Sequence, residues 1–393
     1  MTQPRIPFSR KRRLMELAFK MNRQNKLPIP VTSELLDCFD LVITPEECDF
    51  LLGFDPRPRT YEEILATSGL PAERCENLLE TCLHKGLVWA VQPRGRPRRY
   101  VLASILVGWF ELQLARGLET PREQEFARRL DRLFKTWGKL NYFPVRNVQN
   151  MVARHLTRPF QTIAPIDPEG RAPKRRGIKV DRRVAFDGMN IYTTEMVHRL
   201  LDRYPDTIAV MHCFCRQWRK MVDDPCSLKV PVDVCLVVGE FGRNVAEQGF
   251  GRQVDRKEAL GILDRARKRG AVHQVFHDQD DIDQPHAAIC NCCWCCCGVL
   301  GSYNRGITPL HYRCHARAVV AHADACSSCG LCARFCPTNA LSVDGGEPVL
   351  DSEKCIGCGQ CAYQCPEGVF RLEAGDRDVL LPVLPPDRTR LAP

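Results

Sequence analysis

Twelve residues, CSSCGLCARFCP at 326–337, return 29 positions later as CIGCGQCAYQCP at 355–366. Both lines read C-x2-C-x2-C-x3-C-P, so eight cysteines stand at fixed intervals and each line closes on a proline. Thiols at such density are ligands rather than fillers of a core. Structural zinc would use two C-x2-C pairs and has no role for a third cysteine at the same interval. Three thiolates two residues apart can instead wrap one face of an iron-sulfur cube.

This spacing resembles that of the bacterial two-cluster ferredoxins, over about residues 322–373. The resemblance implies two 4Fe-4S clusters. One would take Cys326, Cys329, Cys332 and Cys365, and the other Cys355, Cys358, Cys361 and Cys336. It also implies one-electron transfer at low potential with a redox partner protein, and it names no substrate. Gly330, Gly357 and Gly359 suit it, because backbone amides must come close to cluster sulfurs.

At 393 residues the chain has room for two or three domains, so the ferredoxin-like lines are one module of something larger. Of 23 cysteines, 15 lie outside the two lines. Disulfides are a poor account of them, since no secretory signal precedes them and iron-sulfur assembly belongs to reducing compartments. Arg12 and Arg13 could suggest a twin-arginine export signal, but Glu16 and Lys20 break the stretch that follows, and no cleavage site comes after it. The longest apolar run, residues 101–110, is about half of what a membrane helix needs. A cytoplasmic protein without a membrane span is expected.

The net charge of +9 is uneven. Residues 1–30 carry a net +7 and residues 171–183 a net +6, whereas residues 322–373 carry −4. Runs of this kind are solvated segments or arms that grip an acidic partner or nucleic acid.

An α+β fold in several parts is expected. Residues 1–43 read as a basic leader with a short amphipathic helix over 10–22. Over 44–104, Thr44 with Glu47 and Thr60 with Glu63 make two capping boxes, a third helix ends at Gly86, and two strands flank a basic tip bearing Arg94, Arg96, Arg98 and Arg99. Three helices and a β-ribbon resemble a winged helix-turn-helix domain. Its third helix carries Glu73, Glu76 and Glu80 against the single Arg74, a poor match to phosphates, so a structural or partner-docking role ranks above DNA binding.

Residues 105–184 read as a helical and linker region, 185–320 as a cysteine-rich α/β middle domain, 321–374 as the two-cluster domain and 375–393 as a Pro-rich tail. In the middle domain a buried strand, DTIAVMHCFCR, should turn Cys213 and Cys215 to one face. An amphipathic helix should follow Asp255, with Ala259, Leu260, Leu263 and Ala266 on its apolar face and Gly270 at its end. The strand AVHQVFH comes next.

Residues 290–297 read CNCCWCCC, six cysteines in eight positions, too crowded for idle core thiols. With His212 to Arg216, Cys226, Cys235, the VHQ at 272–274 and the ICNCC at 289–293, this part resembles a group of poorly characterised proteins that end in a two-cluster ferredoxin. A third thiolate-rich metal centre is expected, an iron-sulfur cluster or zinc, drawn from Cys213, Cys215, Cys226, Cys235, Cys290, Cys292 and Cys293. Cys314 and His315 are further ligand candidates, and Arg216 is a candidate for neutralising thiolate charge. Cys38, Cys48, Cys75 and Cys82 sit at apolar helix positions and read as buried hydrophobes.

The chain has no G-x-G-x-x-G, P-loop or serine-triad motif. The function expected is intracellular electron transfer, with two clusters relaying single electrons to or from the third centre as part of an oxidoreductase. A redox-responsive winged-helix regulator of DNA is the second reading. An enzyme centred on the 290s cysteines is the third.

Overall fold

The computed structural model describes residues 6–23, 29–54, 57–92, 95–139, 147–148, 150–152, 154, 161–164, 166, 194–276 and 288–383. The basic stretch at 171–183 and Arg94 lie outside these residues. The described strands are β1 (Val88–Val91), β2 (Arg99–Leu102), β3 (Gln161–Ala164), β4 (Ala209–Met211), β5 (Cys235–Val237), β6 (Gly251–Gln253), β7 (Val272–Phe276), β8 (Ala288–Cys292), β9 (Leu310–Val320), β10 (Leu341–Asp344), β11 (Glu347–Leu350) and β12 (Phe370–Leu381). Helix and sheet are mixed, as an α+β fold requires. The chain divides into two compact units, one of residues 1–140, 211–225 and 243–252, the other of residues 141–210, 226–242 and 253–393.

The first unit is mostly helical. Thr44 and Thr60 each accept the amide of the glutamate three residues on, and Glu47 and Glu63 return a carboxylate to the cap amide, so both capping boxes start their helices, Pro45–Leu52 and Tyr61–Ser68. Helix Ala72–His84 follows, then the antiparallel ribbon β1–β2, to which Arg59 adds an isolated bridge at Tyr100. The helix expected over 10–22 is present as Phe8–Asn22, and a second helix, Ser33–Val42, follows it. Helices Phe8–Asn22 and Ser33–Val42 bury Leu14, Leu17, Met21, Leu35 and Phe39 within this unit, because their apolar residues recur at helical spacing and must be covered. Phe39 meets Trp109 edge to face at 4.8 Å, and Phe134 of helix Pro121–Lys139 lies 4.6 Å from Trp218. Cys38, Cys48, Cys75 and Cys82 are fully buried here, and burial pushes the Cys38 and Cys82 thiols up.

The second unit is built on a mixed sheet in which strands follow the order β12, β9, β3, β7, β8, β5. Its two faces are separate cores. Val234, Leu236, Val275 and Ile289 point to one, which helix Arg256–Lys268 covers with Ala259, Ile262, Leu263 and Ala266. Leu260, expected on that apolar face, is half-buried and Ile262 takes its place. Ile163, Val272, Leu310, Tyr312 and Val379 point to the other. Asp255 caps the helix by accepting the Glu258 amide at 2.7 Å, and Gly270 leaves it with φ +85°.

Residues 375–381, expected in a Pro-rich tail, are strand. β12 pairs antiparallel with β9 from Phe370 to Leu381, with a bulge between Ala374 and Arg377. The apolar Val379 and Leu381 alternate onto the core, which outweighs the nearby prolines.

Candidate metal centres

Each cysteine line folds as a loop ending in one short helix, Leu331–Phe335 in the first and Gln360–Gln364 in the second. Both helices are entered through a left-handed glycine, Gly330 at φ +71° and Gly359 at φ +80°. A Cβ on Gly357 (φ +63°) would run into the Ala316 carbonyl, and one on Gly359 into the Ile166 backbone. The chain therefore wraps more closely here than any side chain would allow.

Two cavities result. One is lined by Cys336, Cys355, Cys358 and Cys361. The other is lined by Cys326, Cys329, Cys332 and Cys365. Each draws three thiols from one line and the fourth from the other. Amides point at the sulfurs: Ala318 and Gly357 donate to Cys355 Sγ at 3.5 and 3.4 Å, Ala340 to Cys336 Sγ at 3.2 Å, and Ser328 to Cys326 Sγ at 3.4 Å. The four cysteines of the first cavity are all buried, whereas Cys329 in the second is exposed. Burial raises the Cys358 and Cys361 thiols well above their ordinary range, so a positively charged partner is needed to ionise them. The donor set, four thiols around one space, fits an iron-sulfur cube in each cavity.

Both lines are tied to the rest of their unit. Asn304 Nδ2 donates to the carbonyls of Trp294 and Pro337, each at 3.1 Å. The fully buried Gln360 donates to Ala271 O at 2.7 Å, and Ile166 N donates to Cys358 O at 3.0 Å.

The 290s cysteines are arranged differently. Cys226, Cys293, Cys295 and Cys296 bring their four sulfurs within 4.8 Å of one another, the tightest such group among the described residues. Cys226 lies 3.7 Å from both Cys293 and Cys295, and Cys295 lies 3.7 Å from Cys296. A tetrahedron with zinc–sulfur bonds near 2.3 Å has edges of about 3.8 Å, so this spacing suits one ion and leaves no room for a cube.

The loop's own carbonyls are braced from helix Leu300–Asn304. Arg305 donates to Cys295 O at 2.6 Å, and a Cβ on Gly301 would approach that oxygen to 2.7 Å. Cys226 is held below the ordinary thiol range, to about 7. Its hydrogen bond with Cys293 opposes this, and those with Cys295 and Cys296 favour its thiolate, while Cys295 and Cys296 are themselves pushed up.

Of the residues expected in a third centre, Cys226 and Cys293 share this group. Cys235, Cys290 and Cys292 lie on β5 and β8. Cys213 and Cys215 belong to the first unit, and the strand expected to carry them ends at Met211. Cys213 is the cap and Cys215 the second residue of helix Phe214–Met221, because that helix buries Cys215, Arg216, Gln217 and Trp218 together. Cys314 is buried on β9 and pushed up to about 12 by that burial. His315 places Nδ1 2.6 Å from Asp376 Oδ1.

Cys295, Cys296 and Cys297 were not singled out individually from the sequence. They lie in the turn beyond β8, where the strand period does not reach. Between Cys290 and Cys292, Asn291 donates to Val234 O and accepts from His273 Nδ1 at 2.6 Å, which clamps β5, β8 and β7 together. Burial lowers His273 to about 4, so it is the neutral ring that makes this bond.

Residues 318–366 match the family model described as a 4Fe-4S dicluster domain. No curated protein and no solved structure matches the chain. Among the described residues no helix is long and apolar enough to cross a membrane.

Proposed function

We propose that the chain is an iron-sulfur electron carrier whose two 4Fe-4S clusters pass single electrons to or from a redox partner protein. Cys326, Cys329, Cys332 and Cys365 hold one cluster, and Cys336, Cys355, Cys358 and Cys361 the other. The observation that carries this reading is the pair of cavities, each walled by three thiols of one line and one of the other. When bound, the clusters supply reversible one-electron chemistry.

The protein's own residues set where and how easily the charge is held. The exposed Cys329 marks the cluster site that meets a partner, and the wholly buried set marks the inner one. The amides of Ala318, Gly357 and Ala340 offset negative charge at the buried sulfurs, and Ser328 does so at the outer site. The module's net −4 suits a basic docking face on the partner.

Cys226, Cys293, Cys295 and Cys296 hold one tetrahedral ion, and four closed thiolates with no open position suit structural zinc rather than a third cube. Residues 44–104 form a winged helix used for docking. In support, Glu73, Glu76 and Glu80 are exposed on its third helix, Arg74 is bonded to Glu46, and Arg98 is paired with Glu247.

The test is metal, sulfide and electron counting on anaerobically purified protein. At least eight irons with equal sulfide, at least one tetrathiolate zinc and uptake of at least two electrons from dithionite are expected. Four irons or fewer, or a preparation that takes up no electrons, would overturn the reading. The same protein should leave labelled DNA unshifted at low salt, and a salt-sensitive shift would restore the regulator.

A further inference from the structure

The pairing of strands sorts the cysteines of 290–297 before any metal is considered. β8 pairs antiparallel with β7, Gln274 opposite Cys290 and Val272 opposite Cys292. It pairs on its other side with β5, Leu236 opposite Ile289, which sets Cys235 across from Cys290. Side chains alternate along a strand, so Cys290 and Cys292 share a face with Val272, and Ile289 shares the opposite face with Val275. Cys235 falls between Val234 and Leu236, which both point to the Ile289 face, so it joins Cys290. Beyond β8 the turn delivers Cys293 and Cys296 to the Ile289 core and Cys297 to the Val272 core. Six crowded thiols are thus three and three.

We propose that Cys235, Cys290, Cys292 and Cys297 form a second thiolate-bound metal centre, on the opposite face of the sheet from the Cys226 group. Each face has three cysteines from 290–297 and one from the segment that carries Cys226 and Cys235. Cys235 Sγ lies 3.8 Å from Cys290 Sγ, a tetrahedral edge. Cys292 is hydrogen-bonded to both Cys290 and Cys297, so the four thiols run in contact from Cys235 to Cys297. Val299 N donates to Cys297 Sγ at 3.3 Å, the kind of amide contact that steadies a thiolate. Asn291, bonded to Val234 O, holds the strand of Cys235 beside that of Cys290 and Cys292.

Four sulfurs without a carboxylate select a soft, thiophilic metal, zinc or iron. This set is looser than the Cys226 group, which suits either a single ion after slight side-chain rotation or a small iron-sulfur cluster. Its core also contains Ile356 and Cys358, so the centre adjoins the inner ferredoxin cavity within one packed cluster.

Native mass spectrometry of the anaerobic full-length chain tests this without any substitution. The expected bound mass exceeds two 4Fe-4S clusters plus one ion. A mass accounted for by those three groups overturns the proposal. The double variant Cys235→Ser/Cys297→Ser should lose only the excess, while Cys226→Ser/Cys295→Ser should keep it. Loss of one zinc identifies an ion, loss of iron with sulfide identifies a cluster, and an unchanged mass in the first variant overturns the proposal. Failure of the electron-carrier reading registers separately, as the absence of the eight-iron mass or of its reduced-state paramagnetic signal.

Discussion

The ferredoxin-like lines and the 290–297 loop are both dense in cysteine, yet they use it in opposite ways. The lines set their sulfurs around two cavities, and the loop presses its sulfurs to 3.7 Å. A cluster brings its own iron and sulfide, so its protein must enclose volume. A single ion brings almost none, so its protein must enclose a point. Backbone conformation makes the difference. Left-handed glycines curl the lines around space, whereas a strand running straight into a turn stacks thiols on one another.

The largest expected effect separates the two regions by metal content. Cys358→Ser should lower iron from about eight to about four per chain and leave the Cys226 group's metal in place. Cys293→Ser should do the reverse, removing one ion and sparing the iron. If Cys293→Ser instead costs about four irons, the loop holds a cube and the contrast collapses.

A smaller effect comes from the glycines. Gly357→Ala combines a left-handed φ with a collision against Ala316 backbone, and should cost roughly 1–3 kcal/mol in unfolding free energy along with cluster retention. At Gly330 the φ is also left-handed but nothing lies within 4 Å, so Gly330→Ala should cost roughly 1 kcal/mol and keep its cluster. Equal losses in denaturant titrations of the two variants would show that the close wrapping at the inner site is unimportant.

The smallest effect sharpens the loop side. His273 has its pKa lowered to about 4 by burial, while the unfolded ring titrates near 6.5. Between those values the unfolded chain takes up a proton that the folded one refuses, so stability should fall as pH drops from about 6.5 toward about 4, then level off. His273→Gln lacks this component, and its denaturation midpoint should fall less over that window. Parallel curves for variant and parent would remove His273 from the clamp on Asn291.

Local features were legible. Both capping boxes and the Asp255 cap are present where the threonines, the aspartate and their glutamates predict them, because a cap needs only four consecutive residues. The expected strand was legible only as far as Met211, and Cys213 and Cys215 pass to the helix that follows, which buries Cys215 with Arg216, Gln217 and Trp218. The second helix of the leader, Ser33–Val42, and the strand that runs into the tail were not legible for a related reason. Basic residues and prolines dominate the composition of leader and tail, while a few spaced apolar residues, Leu35 and Phe39 in one and Val379 and Leu381 in the other, decide their burial.

Cysteine spacing is enough to mark residues 318–366 as a 4Fe-4S dicluster domain, because each cluster's first three ligands sit at intervals one loop can satisfy alone. Only the tertiary structure decided how the crowded cysteines divide. Cys226 and Cys235 approach the loop from 67 and 55 residues away, and sheet alternation, set by the pairing of β5, β7 and β8, determines which face each thiol joins. Spacing along a chain carries no record of that pairing, since it is fixed by the burial of Val234, Leu236, Val275 and Ile289 on the opposite face.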